Sequence, residues 1–393
     1  MDYFRIDQVC DVNPPKDISR FKGMDISFIP MEAVSTTGEI DRSRTISGDG
    51  IKNYTVFQDR DVLFAKITPC MENGKGGIVD DLKNGFGAGS TEFIVIRPDE
   101  KKVISEWVQL FLSQSSYRIE CKNHMTGSAG QKRVPPKFIA GTVIPVPALD
   151  VQRRIVSRIE ELFSELDNSV STLQKTKEQL KVYRQAVLKD AFKGVVEKKP
   201  IRQMSEFVTS GSRGWAKYYA DEGARFIRIT DLTRDKIILK NDSIQRVNLP
   251  EETEGKRSRL NPFDVLVSIT ADLGSIALIP EDIEEAYINQ HIAMIRFENP
   301  QLGEFMAWYL KSDYGQKDLL KNKRGGGKLG LGLDDIRDTP VPDVSDATSK
   351  KIVSDIESRL SVCDSSEHTV DTALQQAEAM RQSILKQAFE GRL

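Results

Sequence analysis

The chain has 393 residues, 39% of them hydrophobic and 29% charged, with a formal net charge of −2. That length is enough for two domains with cores of their own, and the near-neutral charge excludes a protein that coats nucleic acid indiscriminately while leaving room for a locally basic groove. No apolar run approaches the ~18 residues of a membrane span, and Met1-Asp2-Tyr3-Phe4-Arg5 lacks the basic-then-apolar pattern of a signal peptide. Cys10, Cys70, Cys121 and Cys363 are scattered without a CxxC pair, which reads as reduced thiols in a cytoplasmic protein. His124, His291 and His368 lie far apart, so no metal site is expected.

In chain order, residues 1–150 read as a globular α+β unit. Ile26-Ser27-Phe28-Ile29, Asp61-Val62-Leu63-Phe64 and Glu92-Phe93-Ile94-Val95-Ile96-Arg97-Pro98 are strand-like runs. An aromatic amphipathic helix is predicted around Glu106–Ser116. A basic, Gly-bearing loop follows, and Pro145-Val146-Pro147 closes the unit, rigid enough to keep it from merging into a helix. Residues 151–196 then read as one long helix. Ile159, Leu166, Leu173, Leu180 and Val187 fall every seven residues, Ile155, Leu162 and Tyr183 fill alternate seam positions, and Ser169, Thr176 and Asp190 weaken the others. Gly194 is a natural stop.

Residues 197–347 repeat the first unit's plan. Arg225-Phe226-Ile227-Arg228-Ile229, Asp264-Val265-Leu266-Val267 and His291-Ile292-Ala293-Met294-Ile295-Arg296-Phe297 are its strands, Gly303–Ser312 its aromatic helix, and Pro340-Val341-Pro342 its exit. Residues 348–393 form a second long helix with Ile356, Cys363, Val370, Ala377 and Ile384 in the same register, Ile352, Ala373 and Met380 between them, and Gly391 at its end. The helices repeat one another. Residues 154–194 and 351–391 align without a gap at an offset of 197, and 17 of those 41 positions are identical. A period near 200 is too long for a solenoid; it implies two domain-plus-helix units and a pseudo-two-fold chain. Either the helices pair in a coiled coil or they form a hairpin that fills a core.

Catalytic patterns are poorly supported. Asn13-Pro14-Pro15 has the start of an adenine-methyltransferase motif, but Lys16 stands where an aromatic should stack. Pro98-Asp99-Glu100-Lys101 compresses nuclease-like residues into one turn. No P-loop, GxGxxG, GxSxG or HExxH is present, so no catalytic residue is assigned. Binding is what remains. Two loops at matched places are basic. Arg118–Lys137 carries Lys122, Gln131, Lys132 and Arg133, and Lys311–Lys328 carries Lys321, Lys323, Arg324 and Lys328. Glycine lets backbone approach a phosphate, and Lys or Arg supplies the charge. Lys66, Lys75, Arg213 and Lys217 are further phosphate candidates, and Asn73 and Gln131 are candidates to read base edges. The alternative for each is a solvated basic surface.

The whole chain resembles the specificity subunit of type I restriction–modification systems. The resemblance rests on Ile144-Pro145-Val146-Pro147-Ala148-Leu149-Asp150-Val151-Gln152-Arg153-Arg154-Ile155-Val156 and on the Arg-Gln…Leu-Lys-x-Ala-Phe-x-Gly that ends both helices. The second link departs from it, with Ser349 in the place of Gln152. The resemblance implies two globular target-recognition domains joined by two long antiparallel coiled-coil helices. It implies that each domain reads half of a bipartite site in double-stranded DNA. It also implies that the helices space the halves and dock two modification subunits, which carry S-adenosylmethionine, while restriction subunits carry ATP. This chain itself would bind no cofactor. A solitary methyltransferase, or a coiled-coil adaptor with protein-binding heads, are the competing readings. Salt-dependent binding to duplex DNA separates adaptor from reader.

Overall fold

The computed structural model describes residues 2–128, 130–250, 256–321, 323 and 329–393, the Lys256 side chain excepted. It divides into two compact units, Met1–Leu173 with Thr372–Leu393, and Gln174–Asp371. The division runs through both long helices, not at their ends. The helices are Leu149–Ala191 and Asp346–Phe389, of 43 and 44 residues, so each begins two residues ahead of the expected boundary at 151 or 348. Gly194 and Gly391 follow them at φ 86° and 74°, the left-handed conformation in which glycine ends a helix without a Cβ penalty.

In the first unit, Phe93–Pro98 is the central strand of a sheet ordered Cys10–Val12, Phe93–Pro98, Val62–Ala65, Gly76–Ile78. All four residues of Val62–Ala65 are buried, as expected for a strand covered on both faces. A second sheet is ordered Thr45–Ser47, Asp25–Ile29, Phe86–Gly89, Thr55–Gln58, with one parallel pair, Asp25–Ile29 beside Phe86–Gly89. Asp2–Arg5 pairs with Val143–Val146 in a two-stranded ribbon. The second unit repeats the plan. Its first sheet is Ser205–Ser210, Ile292–Phe297, Val265–Ser268, Ile276–Leu278. Ala224–Ile227 and Ala286–Ile288 form the corresponding parallel pair, and Lys198–Pro200 pairs with Pro340–Pro342. The Pro-Val-Pro exits are thus edge strands of these ribbons, where a missing N–H is tolerated. The predicted helix at Glu106–Ser116 stops at Leu112, and a separate helix, Ser115–Asn123, follows. The second unit matches with Gly303–Lys311 and Asp313–Leu319.

A buried ion pair clamps the same point of both sheets. Arg97 Nε and Nη2 donate to Asp61 at 2.8 and 2.7 Å, and Arg296 Nε and Nη2 donate to Asp264 at 2.9 and 2.6 Å. Each carboxylate also accepts the backbone N–H of the residue three before it, Gln58 or Asn261. Burial pushes both aspartates above their usual pKa despite the guanidinium.

The repeated helix ends do the same work in each unit. In the first, Ile155, Val156 and Ile159 share a core with Leu385, Ala388 and Phe389. The Phe389 ring lies 4.6 Å from Trp107 and 5.4 Å from Phe111. In the second, Val187, Leu188 and Phe192 share a core with Ile356 and Leu360, and Phe192 lies 5.5 Å from Phe305 and 5.3 Å from Tyr309. Within each unit the two helices pair antiparallel. The second unit has Lys177–Asp371 at 2.6 Å, Arg184–Asp364 at 2.6 Å and Arg359–Asp190 at 3.0 Å; the first has Arg381–Asp167. Of the seam residues, Ile159, Val187, Ile356, Cys363 and Val370 are buried, whereas Leu166, Leu173, Leu180, Ala377 and Ile384 are half-buried. Two expectations need correction. Tyr183 and Met380 are 47% and 54% exposed and do not fill the seam. Asp190 is not a gap in the pairing but an ion-pair partner of Arg359 on the flank.

Candidate nucleic-acid interface

The first unit brings sequence-distant candidates to one corner. The loop 66–75 leaves the buried strand Val62–Ala65 and returns into Gly76–Ile78. The loop 126–134 lies against it: Thr68 N–H donates to Lys132 O at 3.0 Å, and Val134 N–H to Lys66 O at 2.9 Å. Thr126 and Arg133 exchange two backbone hydrogen bonds, at 2.9 and 2.8 Å, that close the second loop as a hairpin. Lys66, Asn73, Lys75, Lys122, Gln131, Lys132 and Arg133 therefore belong to one surface region.

They are not equally available. Arg133 is committed to Glu92, with Nε at 3.0 Å and Nη2 at 2.7 Å, and Nη1 donates to Gln131 O. That guanidinium holds the Glu92 carboxyl below its usual pKa. Lys122 pairs with Glu72 at 3.0 Å. Lys66 Nζ donates to Thr91 O at 2.7 Å and Lys75 Nζ to Met31 O at 3.0 Å. These four fasten the loops. Asn73, Gln131 and Lys132 are exposed, and their side chains have no hydrogen-bond partner among the described residues, so they are the groups free to meet a ligand.

In the second unit, Ile269 N–H donates to His291 O and Leu331 N–H to Ile269 O, both at 2.9 Å. These are the bonds that Lys66 and Val134 make in the first unit. Thr270 bridges Gly330, and Ser212 bridges Asn289. The candidates Arg213, Lys217, Lys321 and Lys323 are all exposed. Lys217 Nζ sits 4.8 Å from the Tyr218 ring, a cation–π contact. Arg324 and Lys328 lie outside the described residues. Lys311, read from sequence as part of this basic loop, is instead half-buried and donates to the carbonyls of Thr233 and Lys236 at 2.9 and 3.0 Å; burial lowers its pKa to about 8. The place of Glu92 is taken by His291, whose Nδ1 lies 2.5 Å from Thr270 Oγ1.

Sequence reasoning placed Gln152 in the link but did not assign what it holds. Gln152 is fully buried. It accepts from Ile104 N–H at 3.0 Å and donates to Lys102 O and Pro147 O. The hydroxyl of Ser349, its counterpart, donates to Asp346 O within its own helix, so among the described residues the second link lacks that tie. The Asp61–Arg97 and Asp264–Arg296 clamps were visible only as residues recurring at matched places. Among the described residues, no group of three or more His, Cys, Asp or Glu is placed to hold a metal ion, and no helix is long and apolar enough to cross a membrane.

The chain is similar to known proteins in sequence and in fold. Residues 1–181 match the model of the type I restriction modification DNA specificity domain. The EcoAI specificity subunit of Escherichia coli is 40% identical over 162 residues, 41% of this chain and 27% of that protein. The EcoBI specificity subunit of Escherichia coli is 25% identical over 303 residues, 69% of this chain and 62% of that protein. The chain thus spans only about a quarter of the EcoAI relative's length. Two solved structures share the fold. One is a chain from a type I R-M system, with TM-score 0.81 and 18% identity, covering 100% of this chain and 98% of that one. The other is the HsdS subunit of Thermoanaerobacter tengcongensis, with TM-score 0.57 and 19% identity, covering 100% and 97%. Residues 1–181 thus match a type I restriction modification DNA specificity domain, and the chain over its whole length shares the fold of the two solved structures.

Proposed function

We propose that this chain is the cytoplasmic DNA-recognition subunit of a type I restriction–modification complex. Residues 1–150 and 197–347 each read one half of a bipartite site in duplex DNA. Residues 151–196 and 348–393 pair as an antiparallel coiled coil, act as the ruler for the unread spacer, and dock two modification subunits. Those subunits bind S-adenosylmethionine, restriction subunits supply ATP-driven steps, and this chain contributes neither cofactor nor catalytic residue. Asn73, Gln131 and Lys132 in the first head, and Arg213, Lys217, Lys321, Lys323, Arg324 and Lys328 in the second, are the residues offered to DNA.

The observation that carries this reading is one scaffold present twice with different side chains at the same corner. A buried frame kept constant, with a rim that varies, is what two readers of different half-sites require. Methylation by the chain with and without its modification partners tests it. Purified chain given labelled S-adenosylmethionine and duplex DNA should transfer nothing. The assembled complex should methylate adenines at a fixed separation. Transfer by the chain alone contradicts the proposal.

A further inference from the structure

Both heads press on the returning end of the same loop, with different side chains. The loops 66–75 and 269–275 connect equivalent strands: Val62 pairs with Ile78 and Val265 with Leu278. By that register Gly74 and Gly274 are the same position, and they have the same left-handed backbone, φ 79° and 81°. Each glycine is pressed by the fourth residue of the following short helix. A Cβ on Gly74 would collide with Arg118 Nη1, and one on Gly274 with Gln316 Oε1. Gln316 Nε2 also donates to Gly274 O at 2.8 Å and Leu310 O at 2.7 Å. Arg118 is half-buried, and burial lowers its pKa. Its side chain has no hydrogen-bond partner among the described residues, and it lines a small cleft of about 20 Å³ with Gly74, Lys75 and Gln109. In the first unit the short helix is itself fixed to a long one, because Ser115 N–H donates to Gln382 Oε1 at 2.7 Å.

We infer that Arg118 and Gln316 are equivalent positioning residues, each setting the height of its head's recognition loop above the sheet. They are not phosphate contacts. The loop above Arg118 is three residues longer than the one above Gln316, ten against seven, and carries the exposed Asn73. One support position therefore serves loops of different length and content. Arg118 acts through the loop and not by its charge, so a neutral side chain of sufficient reach should replace it, as Gln316 does in the other head. This assignment rests on the DNA-reading proposal only for its consequence at the target site.

Hydrogen exchange on the full-length chain tests the support itself. Arg118→Ala should raise amide exchange in 70–75 by about tenfold and leave 269–275 unchanged. Gln316→Ala should do the reverse, and Arg118→Gln should restore protection. Unchanged exchange at 70–75 in Arg118→Ala, or loosening of both loops by either variant, overturns the inference. In the assembled complex, Arg118→Ala should relax discrimination in one half-site only. Arg118→Gln should recover discrimination with an unaltered salt slope. A salt slope lowered by about one unit in Arg118→Gln makes Arg118 a phosphate contact and overturns the inference. A loosened loop with discrimination intact in both halves removes that loop from DNA reading, and with it the assigned consequence.

Discussion

The two heads differ most where they are built most alike. In the first, Glu92 at the start of the central strand takes Arg133 in a forked ion pair. In the second, His291 at that place takes the Thr270 hydroxyl, and Gly330 stands where Arg133 would. The backbone bonds around both are the same. The sheet order, the Asp–Arg clamp and the helix-end phenylalanine are fixed by burial, which tolerates few alternatives. The rim carries no such constraint, so its side chains vary freely over one frame.

The largest expected effects test whether the frames are equivalent. Phe192→Ala and Phe389→Ala should each cost about 3–5 kcal/mol, seen as loss of protection in their own unit. Phe192 should cost slightly more, being 2% exposed against 7%. A silent substitution at either place would break the equivalence. Asp264→Ala and Asp61→Ala come next, at about 3 kcal/mol each in denaturant unfolding. The Arg296 side chain is 17% exposed and Arg97 30%, so stranding Arg296 should be the worse of the two.

A pH difference between the units follows from another matched pair. Glu106 lies beside Arg60 at 2.7 Å. Burial opposes its ionisation, but the guanidinium wins and its pKa is lowered. Glu304, its counterpart, is raised from 4.5 to about 7 by burial and by the Glu357 carboxyl. The folded second unit therefore holds a proton that the unfolded chain has released between pH 4.5 and about 7. Its contribution is full below the unfolded value and is lost as pH rises through about 7. Glu106 contributes above its unfolded value and loses that stability on acidification. Exchange at 303–311 should thus quicken between pH 5 and 8 after correction for intrinsic rates, exchange at 105–112 should not, and Glu304→Gln should abolish the difference. The same dependence in both helices would contradict the two environments.

The smallest expected effects separate fastening from contact. Glu92→Ala and Arg133→Ala should be strongly non-additive in stability, because each removes the same pair. Lys132→Ala should leave stability unchanged and lower the slope of log affinity against log salt by about 0.9 in the assembled complex. An unchanged slope would make Lys132 solvated surface.

The tandem plan was legible because it is written in side chains whose role is local. The Phe and Gly that end each helix and the Asp that opens each buried strand recur at matched places. The uses of the charges were not legible. Arg133 and Glu92 are 41 residues apart, and Lys311 reaches carbonyls 78 and 75 residues away. Whether a lysine is offered to a ligand or spent on a carbonyl depends on how loops are laid together. No periodicity encodes that. The exposure of Tyr183 and Met380 has a similar cause, since a heptad position is covered only if the partner helix presents bulk there.

The central claim is that one scaffold carries two independent readers. Replacing residues 200–345 with the second recognition domain of a type I restriction specificity subunit, then mapping methylated adenines made by the assembled complex, tests it most directly. The account requires one half of the methylated sequence to change while the other half stays as it was. A change in both halves, or in neither, would contradict it.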